Sequence, residues 1–162
     1  MANLSLLASA LAFMRRWLPM SCLLAGGSAL LLLTDTAAGR RSLPAVAVLQ
    51  QVSTTVLDDA IRGMVDGLAE KGFVEGRTIT FRRFNAEGDM AQANAIAREI
   101  AGGAYDLGLT SSTPSLQALA TANKRGRLLH VFAAVADPFS AGVGLDRSNP
   151  LTHPRHLLGY GS

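Results

Sequence analysis

Three consecutive hydroxyl residues ahead of a proline, Ser111-Ser112-Thr113-Pro114, with Thr110 before them, are the residues best suited to chemistry in this chain. The pattern predicts a helix start with Thr113 at the N-cap and Pro114 at the first helical position, where a missing N–H costs no hydrogen bond. Unpaired N–H groups and the helix dipole favour an anion at such an end, so a small carboxylate or phosphate would be held there by neutral donors. Capping alone explains Thr113 equally well, and the sequence leaves both readings open. Asp137 stands before Pro138, which keeps it extended. Its carboxylate suits a ligand ammonium group, or simply a turn. Gln51 and Ser53 lie in a polar stretch, Gln50–Thr55, facing either a ligand or solvent.

No residue set suggests catalysis. Ser111 and Ser112 lack the G-x-S-x-G elbow of a hydrolase nucleophile, and there is no G-x-x-x-x-G-K-[ST] phosphate loop. Gly142 and Gly144 are too incomplete for a dinucleotide motif. His130, His153 and His156 show no metal-ligand spacing; His130 alternates within an apolar run, as a core residue would. Cys22 is the only cysteine, so a disulfide framework and a cysteine metal site are both excluded. The chain reads as a non-enzyme that needs no cofactor.

The elements that must position these residues are legible from periodicity. Ala45–Leu49 is apolar without alternation, the pattern of a strand covered on both faces. Thr55 and Asp58 resemble a capping box, and Val56, Leu57, Ala60, Ile61, Met64, Val65, Leu68 and Ala69 then repeat at helical spacing. Gly72 is expected to end that helix in the left-handed conformation. Thr78–Phe84 alternates as an edge strand with one wetter face. Asp89 is expected to cap an alanine-rich helix over 90–101, stopped by Gly102-Gly103. Tyr105–Leu109 and Leu128–Ala134 are further strands, separated by a helix that buries Leu116, Leu119 and Ala120 and is closed by Gly126. The order β-α-β-α-β-α-β with right-handed crossovers predicts an α/β fold: an open parallel sheet with helices on both faces. Ligand loops then lie beyond the carboxyl ends of the strands, which is where Gln50–Thr55, Asn85–Asp89, Thr110–Thr113 and Asp137–Pro138 fall. After residue 140 glycines and prolines interrupt the pattern, and 141–162 reads as a connector in which Leu157–Tyr160 can form one last strand.

Of 162 residues, 49% are apolar and 17% charged, which excludes wholesale disorder; the net charge is +3. Basic clusters occur at Arg82–Arg83 and Lys124–Arg125–Arg127 without interleaved aromatics, so a nucleic-acid partner is not expected. Arg15-Arg16, the 17-residue apolar run Trp17–Leu33 and Thr36-Ala37-Ala38 follow the order of a secretory signal. Residues 1–38 are therefore expected to direct export, with cleavage after Ala38; Met14 would be a cleaner start. An uncleaved inner-membrane anchor is the alternative. The lobe proper is expected over 39–140, in the periplasm.

The ordered set Val46-Ala47-Val48, Gly63-x-x-x-Gly67-Leu68, Lys71–Gly76, Asn85–Asp89, Ala93–Ala97, Thr110–Pro114 and Ala136–Gly142 resembles the periplasmic substrate-binding proteins of ABC transporters. Within that family it is most similar to the group described as uncharacterised or tryptophan/tyrosine-type binding proteins. The resemblance covers roughly residues 45–160. It implies two lobes joined by a hinge, closing on a small solute such as an amino acid and delivering it to a membrane permease. The length accommodates the N-terminal lobe only, so a second lobe is expected to be absent. The resemblance places solute contacts at Gln51 and Ser53, at Ser111, Ser112 and Thr113, and at Asp137. A truncated remnant without function and a membrane-anchored sensory lobe are the competing readings. Repressor ligand domains share the architecture but begin with a DNA-binding helix-turn-helix, in place of which this chain has its signal segment.

Overall fold

The computed structural model describes residues 43–149 and 152–161. The expected signal segment and its cleavage site lie outside the described residues. From Leu43 onward the chain forms one compact unit. Its elements are β1 (Ala45–Gln50), α1 (Thr55–Glu70), β2 (Thr80–Asn85), α2 (Met90–Gly102), β3 (Leu107–Ser111), α3 (Thr113–Ala122), β4 (Leu129–Val135) and β5 (Leu157–Gly161).

All strands are parallel, in the order β2-β1-β3-β4-β5. The apolar run of β1 is buried on both faces, as its lack of alternation requires. Val46 and Val48 face α1, where Ile61, Met64, Val65 and Leu68 cover them. Ala47 and Leu49 face α2 and α3, packing with Ala93, Ala97, Ile100 and Leu119. Right-handed crossovers produce this division: the step from β1 to β2 runs outward on one side of the sheet, and the steps to β3 and β4 run the other way. β2 is an edge strand, and its exposed Thr80, Arg82 and Arg83 beside half-buried Phe81 and Phe84 reflect that place, although the expected alternation breaks at Arg82–Arg83.

The caps differ from expectation by one residue at two helices. Thr54, not Thr55, is the N-cap of α1 and accepts from the Leu57 N–H at 3.4 Å. Asp58 instead accepts from Gln50 Nε2, tying the end of β1 to the first turn of α1. Ser112, not Thr113, is the N-cap of α3. The cause is that β3 runs two residues further than Tyr105–Leu109: Thr110 and Ser111 pair with β1 and β4 and are fully buried. The end of α1 is as expected. Gly72 has φ +89°, its N–H donates to Ala69 O and the Phe73 N–H to Leu68 O, a Schellman closure. Asp89 caps α2 through Ala91 and Gln92.

The segment after Asp137 is more than a connector. Ala141 is buried with Leu116, Phe132, Val135 and Leu157, and Gln117 Nε2 donates to Ala141 O at 2.9 Å. β5 then joins β4 as a fifth parallel strand. Gly159 is required there, because a Cβ would overlap the Phe132 carbonyl and ring across the pair.

Candidate functional site

The sheet order reverses between β1 and β3, and open sheets of this kind hold ligands beyond the carboxyl ends at such a reversal. Register aligns four residues along that edge: Asn85 opposite Gln50, Gln50 opposite Ser111, and Ser111 opposite Ala133. Of the residues that follow them, Ala86 and Gln51 are buried, and Ser112 and Ala134 are half-buried.

Gln51 and Ser53 follow β1. The Gln51 carbonyl accepts from the Gly88 N–H at 2.7 Å, joining the loops after β1 and β2. Its side chain is 8% exposed, and Oε1 is buried without a hydrogen-bond partner in the protein. A buried acceptor left unpaired costs about 1–3 kcal/mol, so this atom is a standing demand for a donor. Ser53 is exposed and accepts from Asn85 Nδ2 at 3.2 Å.

Ser111, Ser112 and Thr113 divide into different roles. Ser111 is fully buried and its hydroxyl donates to Leu57 O, which fixes the start of α1 against β3. Ser112 has φ +100° and ψ 156°, a region that is essentially reserved for glycine. Its hydroxyl caps α3 at Ser115 N and meets Ser115 Oγ at 3.1 Å. Thr113 opens the helix, half-buried, with Pro114 behind it.

Asp137 stands at the end of β4, further along the same edge. Its Oδ1 accepts from the Phe139 and Ser140 N–H groups and its Oδ2 pairs with Arg147 at 2.7 Å. Loss of solvent works against ionisation, but the Ser140 and Phe139 N–H groups and the Arg147 charge outweigh it and hold the carboxyl below its ordinary range. Arg147 also stacks over Phe139. The turn reading of Asp137 is thus realised in the geometry, and any ligand ammonium must compete with Arg147. Nothing in the sequence pointed to Arg147, ten residues downstream in an irregular stretch.

A cavity of about 520 Å³ lies at the β4–β5 end of the edge, lined by Asp137, Phe139, Arg147, Leu158 and Tyr160 among others. It does not include Gln51, Ser53 or Ser111–Thr113. Of those residues Ser53 is exposed, Ser112 and Thr113 are half-buried, and Gln51 and Ser111 are buried beneath the edge.

Backbone geometry marks the same edge. The three non-glycine residues with positive φ among those described are Glu87 after β2, Ser112 after β3 and Ala134 near the end of β4. Sequence reasoning missed this, since none of the three is a residue type that favours the conformation as glycine does. Among the described residues no group of three His, Cys, Asp or Glu side chains could hold a metal, and no helix is long and apolar enough to cross a membrane. His130, fully buried, shares a 2.8 Å hydrogen bond with Thr110 and takes no part in the edge.

Known proteins match this sequence and fold. A tyrosine-binding protein of Clostridioides difficile (strain R20291) is 34% identical over 98 residues, covering 60% of this chain and 28% of that protein. The ligand-free, open structure of a substrate-binding protein with adhesive properties from Clostridium difficile superposes with a TM-score of 0.66 at 30% identity, over 74% of this chain and 39% of the other. A Streptococcus pneumonia ABC domain in complex with L-Trp gives 0.65 at 30% identity over the same shares. A conserved domain protein of Vibrio cholerae O1 gives 0.66 at 33%. The chain therefore spans well under half the length of these relatives, two of which are described as binding proteins. The model of the family described as ABC transporter substrate binding protein matches residues 45–152. With the parallel α/β lobe, that match establishes that this chain belongs to the ABC transporter substrate-binding protein family.

Proposed function

We propose that this chain supplies a solute-binding lobe to an ABC-type uptake system and that its carboxyl edge contacts a small zwitterion such as an amino acid. In this reading residues 1–38 direct export to the periplasm, and a cognate membrane permease receives the solute. The carboxylate sits at the amino end of α3, before Ser112 and Thr113, with Ser111 positioning the turn. The Gln51 side-chain amide, buried in this structure, turns outward to accept from the ligand's ammonium group. Ser53 lines the rim, and Asp137 reinforces the ammonium contact where its ion pair with Arg147 opens. The tyrosine-binding and tryptophan-bound relatives support an amino-acid ligand.

The observation that carries the reading is Ser112. A serine held at φ +100° costs about 1–3 kcal/mol, and glycine would occupy the same backbone freely. Its cap returns only about 1 kcal/mol. In this reading a ligand contact of the Ser112 hydroxyl offsets the remaining cost. Ser112→Gly is expected to raise the unfolding free energy by about 1 kcal/mol while weakening binding of L-tyrosine or L-tryptophan. Calorimetric titration of both proteins beside their denaturant melts measures the two effects. Undiminished amino-acid binding in the glycine variant would remove the ligand role and leave capping alone.

A further inference from the structure

At the opposite edge of the sheet, α2 and α3 both end beside a concavity of about 320 Å³ lined by Arg98, Asn123, Lys124, Arg125 and Arg127. No acidic side chain lines it. All four cations are exposed, and none makes an ion pair among the described residues, whereas Arg62, Arg82, Arg83 and Arg147 each do. The nearest acids in sequence are already engaged: Glu99 pairs with Arg82, and Asp106 accepts from the Ala45 N–H. The loop carrying three of the cations is fixed. Buried Asn123 donates to Leu128 O at 2.6 Å and accepts from the Leu128 N–H at 3.1 Å, and Gly126 turns at φ +63° between them. Part of this charge offsets the carbonyl ends of the two helices, but offsetting them does not require four cations around one hollow.

We propose that this basic hollow docks the lobe on an anionic phospholipid surface, leaving the carboxyl-edge cleft turned away from the contact. Two observations select a lipid surface over other polyanions. The hollow has no aromatic side chain on which a nucleic-acid base could stack. The chain also enters the fold at this edge, through Leu43 and Pro44 into β1, and the sequence just ahead, beyond the expected cleavage point, adds two further cations, Arg40 and Arg41. Each cation near an anionic bilayer strengthens contact by about fivefold at physiological ionic strength, and the attraction fades within a Debye length as salt rises.

The chain has only two lysines, Lys71 and Lys124, which makes amine footprinting a direct test. The full chain is reconstituted with vesicles of phosphatidylcholine alone or with phosphatidylglycerol added, then briefly acetylated. The expected result is a fall of about fivefold or more in Lys124 labelling with phosphatidylglycerol only. Lys71 labelling stays unchanged, and the protection is lost in 0.5 M salt, where the screening length shortens to about 4 Å. The triple variant Arg98→Gln, Arg125→Gln, Arg127→Gln is expected to lose the protection and keep its melting temperature. Equal Lys124 labelling in both vesicle types would overturn the proposal, as would equal protection of both lysines. Protection of Lys124 by inorganic phosphate or by duplex DNA, but not by vesicles, would also overturn it and make the hollow a site for that anion. A triple variant that melts early yet keeps the lipid-specific protection would reduce the cations to helix-end partners.

Discussion

Acidification from pH 7 to pH 3 is expected to strip about 4–5 kcal/mol from the lobe through one residue, His130. Its side chain is fully buried on the central sheet, with Nε2 hydrogen-bonded to Thr110 Oγ1 and Nδ1 without a partner. Burial, followed by repulsion from His156, lowers its pKa from the ordinary 6.5 to about 3. In the unfolded chain the imidazole binds its proton near pH 6.5, whereas in the folded lobe it refuses it until about pH 3. The unfolded state therefore holds more protons throughout that window. Stability is intact above pH 6.5 and falls by about 1.4 kcal/mol per unit as the pH drops, levelling off near pH 3. Carboxylates add their own acid sensitivity below about pH 5, so the informative interval is pH 6.5 to 5. There the native protein is expected to lose about 2 kcal/mol and a His130→Gln variant almost none. Urea melts at half-unit steps read both slopes, and parallel profiles would show that His130 titrates normally.

The second large effect concerns the packing that holds α3, and with it Ser112, against the sheet. Leu119 is fully buried, and its Cδ2 approaches so closely to Gly108 of β3 that a Cβ there would lie 2.8 Å away, with Leu128 Cδ2 at 3.0 Å. Leu119→Ala is expected to cost about 3–4 kcal/mol, the transfer term plus the cavity left at a rigid strand–helix contact. Gly108→Ala alone is expected to cost about 1–3 kcal/mol by overpacking the same space. Together the two should cost less than their sum by about 1 kcal/mol or more, because the new methyl group partly fills the hollow left by the leucine. Denaturant melts of the three variants close the cycle. Strict additivity would mean that the two residues do not share that space.

Much of this fold was legible from the residues. β1 has no polar alternation and is covered on both faces; α1 carries its apolar face at helical spacing and stops at a glycine whose φ is positive. The misplacements share one cause. Hydroxyl residues serve strands, caps and ligands alike, so Thr110 and Ser111 looked like loop when lateral pairing with β1 and β4 makes them strand. That displaced the cap of α3 from Thr113 to Ser112. β5 was faint because two of its five residues are glycines, admitted where Phe132, Val135 and Pro138 leave no room for a Cβ. The carboxyl edge of the sheet was legible in outline, since strand ends reveal which loops share it. Its contents depended on long-range pairings, such as Ser111 with Leu57 or Asp137 with Arg147, which local sequence does not encode.

The central claim is that the carboxyl edge, rather than any other face of the lobe, meets the solute. Amide chemical-shift mapping of the isotope-labelled protein with L-tyrosine and L-tryptophan at millimolar concentration tests it directly. One wall of a cleft offers few contacts, so affinity at or weaker than about 1 mM, roughly −4 kcal/mol, is expected. The account predicts shifts concentrated at Gln51–Thr54, Ser112–Ser115 and Asp137, together with a perturbed Gln51 side-chain amide. Shifts confined to the β4–β5 cavity or the basic hollow, with the carboxyl-edge loops unchanged at saturating ligand, would contradict it.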